Sequence, residues 1–205
     1  ENPLELFQIW LNLPAKSKMV EPDYKMFWSE NIPKFEHKGV YVEVLAGELF
    51  GKHSPTPPNN SWASDKNNVV GVFNIVLPPN STLTLPATKA GANRSLYYYQ
   101  GKGLTVENRG IPEYHAVDVV SNKDITLRSN DDSAKILVLQ GMPINEPVVQ
   151  HGPFVMNTRA EIQQAFAEYQ QTQFGGWPFS RYDHVHDRKK GRFARYPNGK
   201  EETKG

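Results

Sequence analysis

From residue 72 to residue 140 the chain repeats one pattern: a short run of aromatic and β-branched residues, then a cluster of Pro, Gly, Asn or Asp. Such runs suit a pleated, half-buried surface, and the clusters between them break it. Strands are predicted at residues 72–77, 81–85, 95–99, 104–107, 115–120, 124–128 and 134–139. Pro78-Pro79-Asn80 and Asn130-Asp131-Asp132 act as breakers. Six or more strands at this spacing predict an antiparallel sandwich or barrel. Gln100-Gly101-Lys102-Gly103 joins two of the richest runs, so residues 95–107 are predicted to form a hairpin.

The flanks read as braces for that sheet. Leu6-Phe7-Gln8-Ile9-Trp10-Leu11-Asn12-Leu13 alternates apolar residues onto both faces and predicts a strand that needs cover on each side. Pro14, Pro22 and Pro33 then punctuate a connector, residues 40–48 form a further strand, and the stretch from Gly51 to Asn68 is loop-rich. One helix is predicted, opening on a Thr158/Glu161 capping box, with Ile162, Ala165, Phe166 and Tyr169 on the face that braces the sheet. The tail from Arg181 carries eight Lys or Arg against four Asp or Glu. A basic tail on an acidic body suits docking onto an acidic surface, although solvation is the default.

Composition excludes more than it assigns. A formal net charge of +1 lacks the basic field of a nucleic-acid binder, so no nucleic-acid partner is expected. No apolar run approaches the roughly 20 residues of a spanning helix, so no membrane partner is expected either. The chain has no cysteine, which removes disulfides, thiolate metal sites and cysteine nucleophiles.

Three stretches together resemble the pirin family. They are Phe7-Gln8-Ile9-Trp10-Leu11-Asn12-Leu13-Pro14-Ala15 with Lys18-Met19-Val20-Glu21-Pro22; Gln150-His151-Gly152-Pro153-Phe154-Val155-Met156-Asn157-Thr158; and Gly175-Gly176-Trp177-Pro178 with Gly191-Arg192-Phe193-Ala194-Arg195. The resemblance implies a bicupin parent of which this chain is the C-terminal half. It implies a cupin-type antiparallel β-barrel or jelly roll with a C-terminal helix and an irregular tail. Residues 1–38 would close a preceding cupin domain and connect it, 39–147 form the barrel, 148–179 hold an irregular segment and the helix, and 180–205 form the basic tail. The family's iron, held by three histidines and a glutamate, belongs to the N-terminal half, upstream of Glu1. The expected role is a metal-free half that supports its iron-binding partner domain and offers surface to other proteins. The alternatives are one wall of a quercetinase-like dioxygenase, and a small-ligand-binding barrel. A cytoplasmic location, or a nuclear one in a eukaryote, follows from the same resemblance.

Candidate sites are sparse. A metal-binding cupin strand needs two histidines one residue apart, then a glutamate. Counted back from Gly101, those positions fall near Thr88, Ala90 and Arg94, and the later histidine position falls among residues 130–133, so no metal is expected in this domain. His184 and His186 form the only H-x-H pair, but Arg188, Lys189 and Lys190 follow at once and oppose cation binding. His115, His53 and His151 are assigned structural roles. There is no nucleophile elbow and no phosphate loop, hence no catalytic residue in this chain. Tyr97, Tyr98 and Tyr99 alternate faces, so at least one faces the interior, as core or against an aromatic ligand. Tyr97, Tyr98, Tyr99, His184 and His186 are the candidate ligand or partner contacts. The apolar residues 4–13, orphaned if a preceding domain is absent, predict self-association.

Overall fold

Strict alternation of buried and half-buried residues runs through Gly71–Leu77 and sets the register of everything around it. The computed structural model describes residues 4–177, 180–182, 185–196 and 198–204. In chain order the strands are β1 Lys34–His37, β2 Val40–Ala46, β3 Glu48–Leu49, β4 Lys52–His53, β5 Gly71–Leu77, β6 Thr82–Leu85, β7 Asn93–Gly101 and β8 Leu104–Val106. They continue as β9 Arg109–Ile111, β10 His115–Asp118, β11 Ile125–Ser129, β12 Ala134–Gly141, β13 Val149–His151, β14 Phe154–Met156, β15 Arg192–Arg195 and β16 Glu201–Lys204. The helix α1 spans Arg159–Thr172. Two compact units result: Glu1–Leu13 with Phe27–Ile144, and Pro14–Met26 with Asn145–Gly205. Among the described residues no helix is long and apolar enough to cross a membrane.

The first unit holds a six-stranded antiparallel sheet, β1-β2-β5-β12-β7-β10, and a four-stranded one, β6-β11-β8-β9. One hydrophobic cluster joins them: Val42, Phe73, Ile75, Leu96, Tyr98 and Ile136 from the larger sheet meet Leu83, Leu85, Leu104 and Leu127 from the smaller. The expected barrel is not formed. Neither sheet closes, because β1 and β10 remain edges of one and β6 and β9 edges of the other, whereas a barrel needs a continuous ladder around its circumference.

The predicted hairpin at residues 95–107 is also corrected. β7 pairs with β12 and β10, and β8 pairs with β11 and β9, so the glycine turn carries the chain from one sheet to the other. Gly101 has φ +121°, and a Cβ there would lie 2.0 Å from the Ser133 carbonyl oxygen. The Asn130 amide in turn donates to the Gly103 carbonyl at 2.9 Å. This corner is pinned against the turn that precedes β12, and a tight two-strand connection is sterically a different object.

Residues 4–13 are not a strand. They cross the outer face of the six-stranded sheet instead of adding to an edge: Glu5 lies 3.8 Å from Lys135, and the Phe7 ring meets Tyr99 edge-on at 4.9 Å. Ile9, Trp10 and Leu11 border a shallow hollow with Val72, Ser95 and Leu139. Leu137, on the outward face of β12 between Lys135 and Leu139, is buried. Leu4, Leu6 and Trp10 stay exposed. Beneath the segment Tyr99 donates to Asn74 Oδ1 at 2.9 Å, Asn74 Nδ2 donates to Glu43 Oε2 at 3.0 Å, and Tyr41 donates to Glu43 Oε1 at 2.9 Å. Burial, then the Glu5 charge, pushes the Tyr99 phenol up to about 12.

In the second unit α1 carries the predicted capping box. Its Phe166 ring packs on Phe154 at 4.7 Å and His151 at 5.2 Å, both on the β13–β14 hairpin. The helix therefore braces this hairpin, and Tyr169 completes an aromatic group with Phe154 and Phe174. The helix ends at Thr172, where Gln173 takes the left-handed conformation. Part of the tail expected to be irregular is ordered as a hairpin: among its described residues β15 and β16 pair, and Glu201 meets Arg195 at 3.1 Å and Lys190 at 2.9 Å.

The capping carboxylate makes this unit pH-sensitive. Hydrogen bonding from the Thr158 hydroxyl, then from the Thr158 and Asn157 amides, holds Glu161 below the usual carboxylate range against an opposing effect of burial. A depressed folded-state pKa contributes stability that is present above the unfolded value and lost as pH falls through the folded one. Acid melts should therefore lose helix signal below the ordinary glutamate value of about 4.3. Glu161→Gln should flatten that loss, and an unchanged acid profile in the variant would refute the assignment. Thr158→Ala should cost about 1 kcal/mol at neutral pH.

Candidate functional site

The positions where a cupin strand would hold a metal contain no ligand set. Thr88 and Ala90 lie in the loop before β7, with the Thr88 amide donating to the Ser121 carbonyl. Arg94 lies on β7 with the inward parity of Leu96 and Tyr98, and it is 4 % exposed. A guanidinium is permanently protonated and has no lone pair to give a metal, so these residues do not fit iron. Among the described residues no group of three or more His, Cys, Asp or Glu side chains is arranged to hold a metal ion.

What the β7 strand builds instead is a buried cation beside a cavity. Arg94 Nε donates to Gln140 Oε1 at 3.0 Å and Nη1 donates to the Pro86 carbonyl at 3.0 Å. Gln140 is itself fixed, its Nε2 donating to the Val69 carbonyl at 3.1 Å. Burial lowers the Arg94 pKa and the Asp124 charge opposes that shift. Arg94, Gln140 and Thr88 border a cavity of about 810 Å³ at this end of the sandwich, whose walls include Leu49, Phe50, Val70 and Phe73.

The three tyrosines separate by face. Tyr98 is 1 % exposed within the core, and among the described residues its hydroxyl has no hydrogen-bond partner. Tyr97 is 41 % exposed on the outer face, where Tyr99 joins the Asn74 network. The two histidines of the tail are not brought into view as a pair: His184 lies outside the described residues, and the His186 ring meets Phe193 edge-on at 4.8 Å. Lys190 Nζ sits over the same ring, 3.6 Å from the Phe193 centroid. His115 Nδ1 contacts the Glu113 carbonyl at 3.0 Å, His53 Nδ1 lies 3.5 Å from Glu48, and His151 packs on Phe166.

The Arg94–Gln140 pair is the feature that reasoning from motifs passes over. Its signal is parity: in Arg94-Ser95-Leu96-Tyr97-Tyr98, the arginine shares a face with a leucine and a tyrosine that must be core.

A profile of the pirin C-terminal cupin domain matches residues 72–175, so the two-sheet unit belongs to a cupin domain. The chain belongs to the pirin family. A pirin-like protein of Solanum lycopersicum is 34 % identical over 166 residues, covering 80 % of this chain and 54 % of the relative. A putative quercetin 2,3-dioxygenase of Pseudomonas aeruginosa is 33 % identical over 178 residues, covering 82 % of this chain and 59 % of the relative. Among solved structures, a quercetin 2,3-dioxygenase from Acinetobacter baumannii superposes with a TM-score of 0.68 at 28 % identity, over 80 % of this chain and 55 % of that one. The chain thus spans little more than half the length of the relatives it matches.

Proposed function

We propose that this chain is part of an iron-dependent, quercetinase-like dioxygenase whose metal centre is carried by a second cupin domain. The observation that carries this reading is the fold-level and sequence-level similarity to a quercetin 2,3-dioxygenase, combined with an arginine where this domain would need a metal ligand. Iron, when bound in the other domain, would supply dioxygen activation. This chain would contribute a rigid wall, set by the shared core of its two sheets. The exposed side chains of Leu4, Leu6 and Trp10 support attachment of a further domain, or self-association, along residues 4–13. A role confined to support and partner binding is the weaker reading, since the dioxygenase similarity adds a reaction to it.

The test is to measure iron content and quercetin consumption for the 205-residue chain and for the same chain joined to the N-terminal cupin domain of its parent. The chain alone should hold no stoichiometric iron and turn over no quercetin, and the longer protein should do both. Stoichiometric iron in the short chain, or an iron-loaded long protein inert toward quercetin, would defeat the proposal.

A further inference from the structure

Among the described residues no carboxylate lies within ion-pairing distance of Arg94, although the residue is 4 % exposed. Isolated buried charges are costly, and proteins keep them paired or hydrogen-bonded. Of the five N–H donors of the guanidinium, Nε and Nη1 bond the neutral acceptors Gln140 and Pro86, and among the described residues Nη2 makes no hydrogen bond. Those two bonds, with Gln140 tethered to Val69, fix the plane of the guanidinium beside the 810 Å³ cavity. A volume of this size matches small-molecule sites, which run roughly 300–1,000 Å³.

Two carboxylates border the cavity, Asp65 and Glu48, while Asp124 lies outside its lining. The Asp65 carboxylate accepts from the Asn67 amide at 2.8 Å, and Glu48 lies 3.5 Å from His53. Asp124 accepts from the Ala87 amide at 2.8 Å and acts on Arg94 only through space. The cavity therefore presents a buried, oriented guanidinium beside apolar walls formed by Leu49, Phe50, Val69, Val70, Phe73 and Pro86, with Lys66 as a second cation on its lining.

We propose that this cavity binds a small organic carboxylate, its carboxylate paired with Arg94 and its apolar body lying against Phe50, Val70 and Phe73. A planar carboxylate suits the remaining guanidinium donors. An inorganic phosphate has no apolar body to lie against Phe50, Val70 and Phe73, so those walls favour an organic acid. The site stands apart from the dioxygenase reading, because it asks only for binding by this domain.

Calorimetric titration of the full chain with benzoate, with its neutral isostere benzamide and with inorganic phosphate tests it. Benzoate should bind at least about tenfold more tightly than benzamide, a difference of about 1.4 kcal/mol, and more tightly than phosphate. Thr88→Trp, which projects an indole into the cavity beside Arg94 and leaves the Arg94 hydrogen-bond partners in place, should weaken benzoate binding at least about tenfold while leaving the melting temperature near wild type. Arg94→Gln should erase the preference for benzoate over benzamide; if that variant does not fold, the isostere comparison and Thr88→Trp still decide. Equal affinity for benzoate and benzamide, no benzoate binding, tighter binding of phosphate, or undiminished binding in Thr88→Trp would each overturn the proposal.

Discussion

Gly101→Ala should destabilise the two-sheet unit by about 2–4 kcal/mol, a large share of the stability of any single domain. Two costs combine. The backbone at φ +121° is one that side chains with a Cβ rarely adopt, and the new methyl would sit 2.0 Å from the Ser133 carbonyl oxygen, which is backbone and cannot swing away. Gly39 supplies the comparison: its φ is +80°, but nothing lies within 4 Å of its would-be Cβ. Gly39→Ala should therefore cost about 1–2 kcal/mol, from backbone conformation alone. Urea denaturation of the two variants reads the difference. If they lose the same stability, the corner between β7 and β8 is not sterically locked.

That corner also marks how far the strand pattern could be followed. Alternation places β5, β7, β11 and β12 with their apolar faces inward, because a period of two is a property of the strand itself. Partner choice is a property of two strands at once. Gln100-Gly101-Lys102-Gly103 has the composition of a hairpin loop, and only the close approach of Gly101 to Ser133 reveals a change of sheet. The same gap explains the missing barrel, since closure depends on whether β1 and β10 find each other, and nothing in either run states that. Residues 4–13 alternate like a strand yet lie across a face, where Phe7 finds Tyr99 and Glu5 finds Lys135. The helix was legible to within one residue of its cap because Thr158 and Glu161 satisfy each other locally, whereas the surface it packs on was not.

Candidate chemistry divides along the same line. That Thr88, Ala90 and Arg94 cannot ligate a metal follows from their identity and needs no coordinates. That Arg94 is held by Gln140, 46 residues away, and faces a cavity lined by the loop after β4 is a tertiary fact. An arginine at a core parity was nonetheless a visible anomaly, and buried charges are where a fold departs from what packing alone would choose.

Tyr98 offers a sharper outcome, in which one position responds to two substitutions with opposite sign. Its ring is 1 % exposed in the cluster with Leu96, Ile136 and the residues of the smaller sheet, so Tyr98→Ala should cost about 3–5 kcal/mol through lost burial and the cavity left behind. Its hydroxyl is buried without a hydrogen-bond partner among the described residues, and burial pushes the phenol pKa up, as expected for a group whose charged form has no compensation. Tyr98→Phe removes that unpaired group and keeps the packing, so it should stabilise the unit by about 1 kcal/mol. Tyr97→Ala, one residue away on the outer face and 41 % exposed, should stay within about 1 kcal/mol of wild type. Thermal and urea melts of the three variants distinguish a core tyrosine from a ligand-facing one. A Tyr98→Phe variant less stable than wild type would mean that the hydroxyl has a partner, and the inward face of β7 would then have to be redrawn around it.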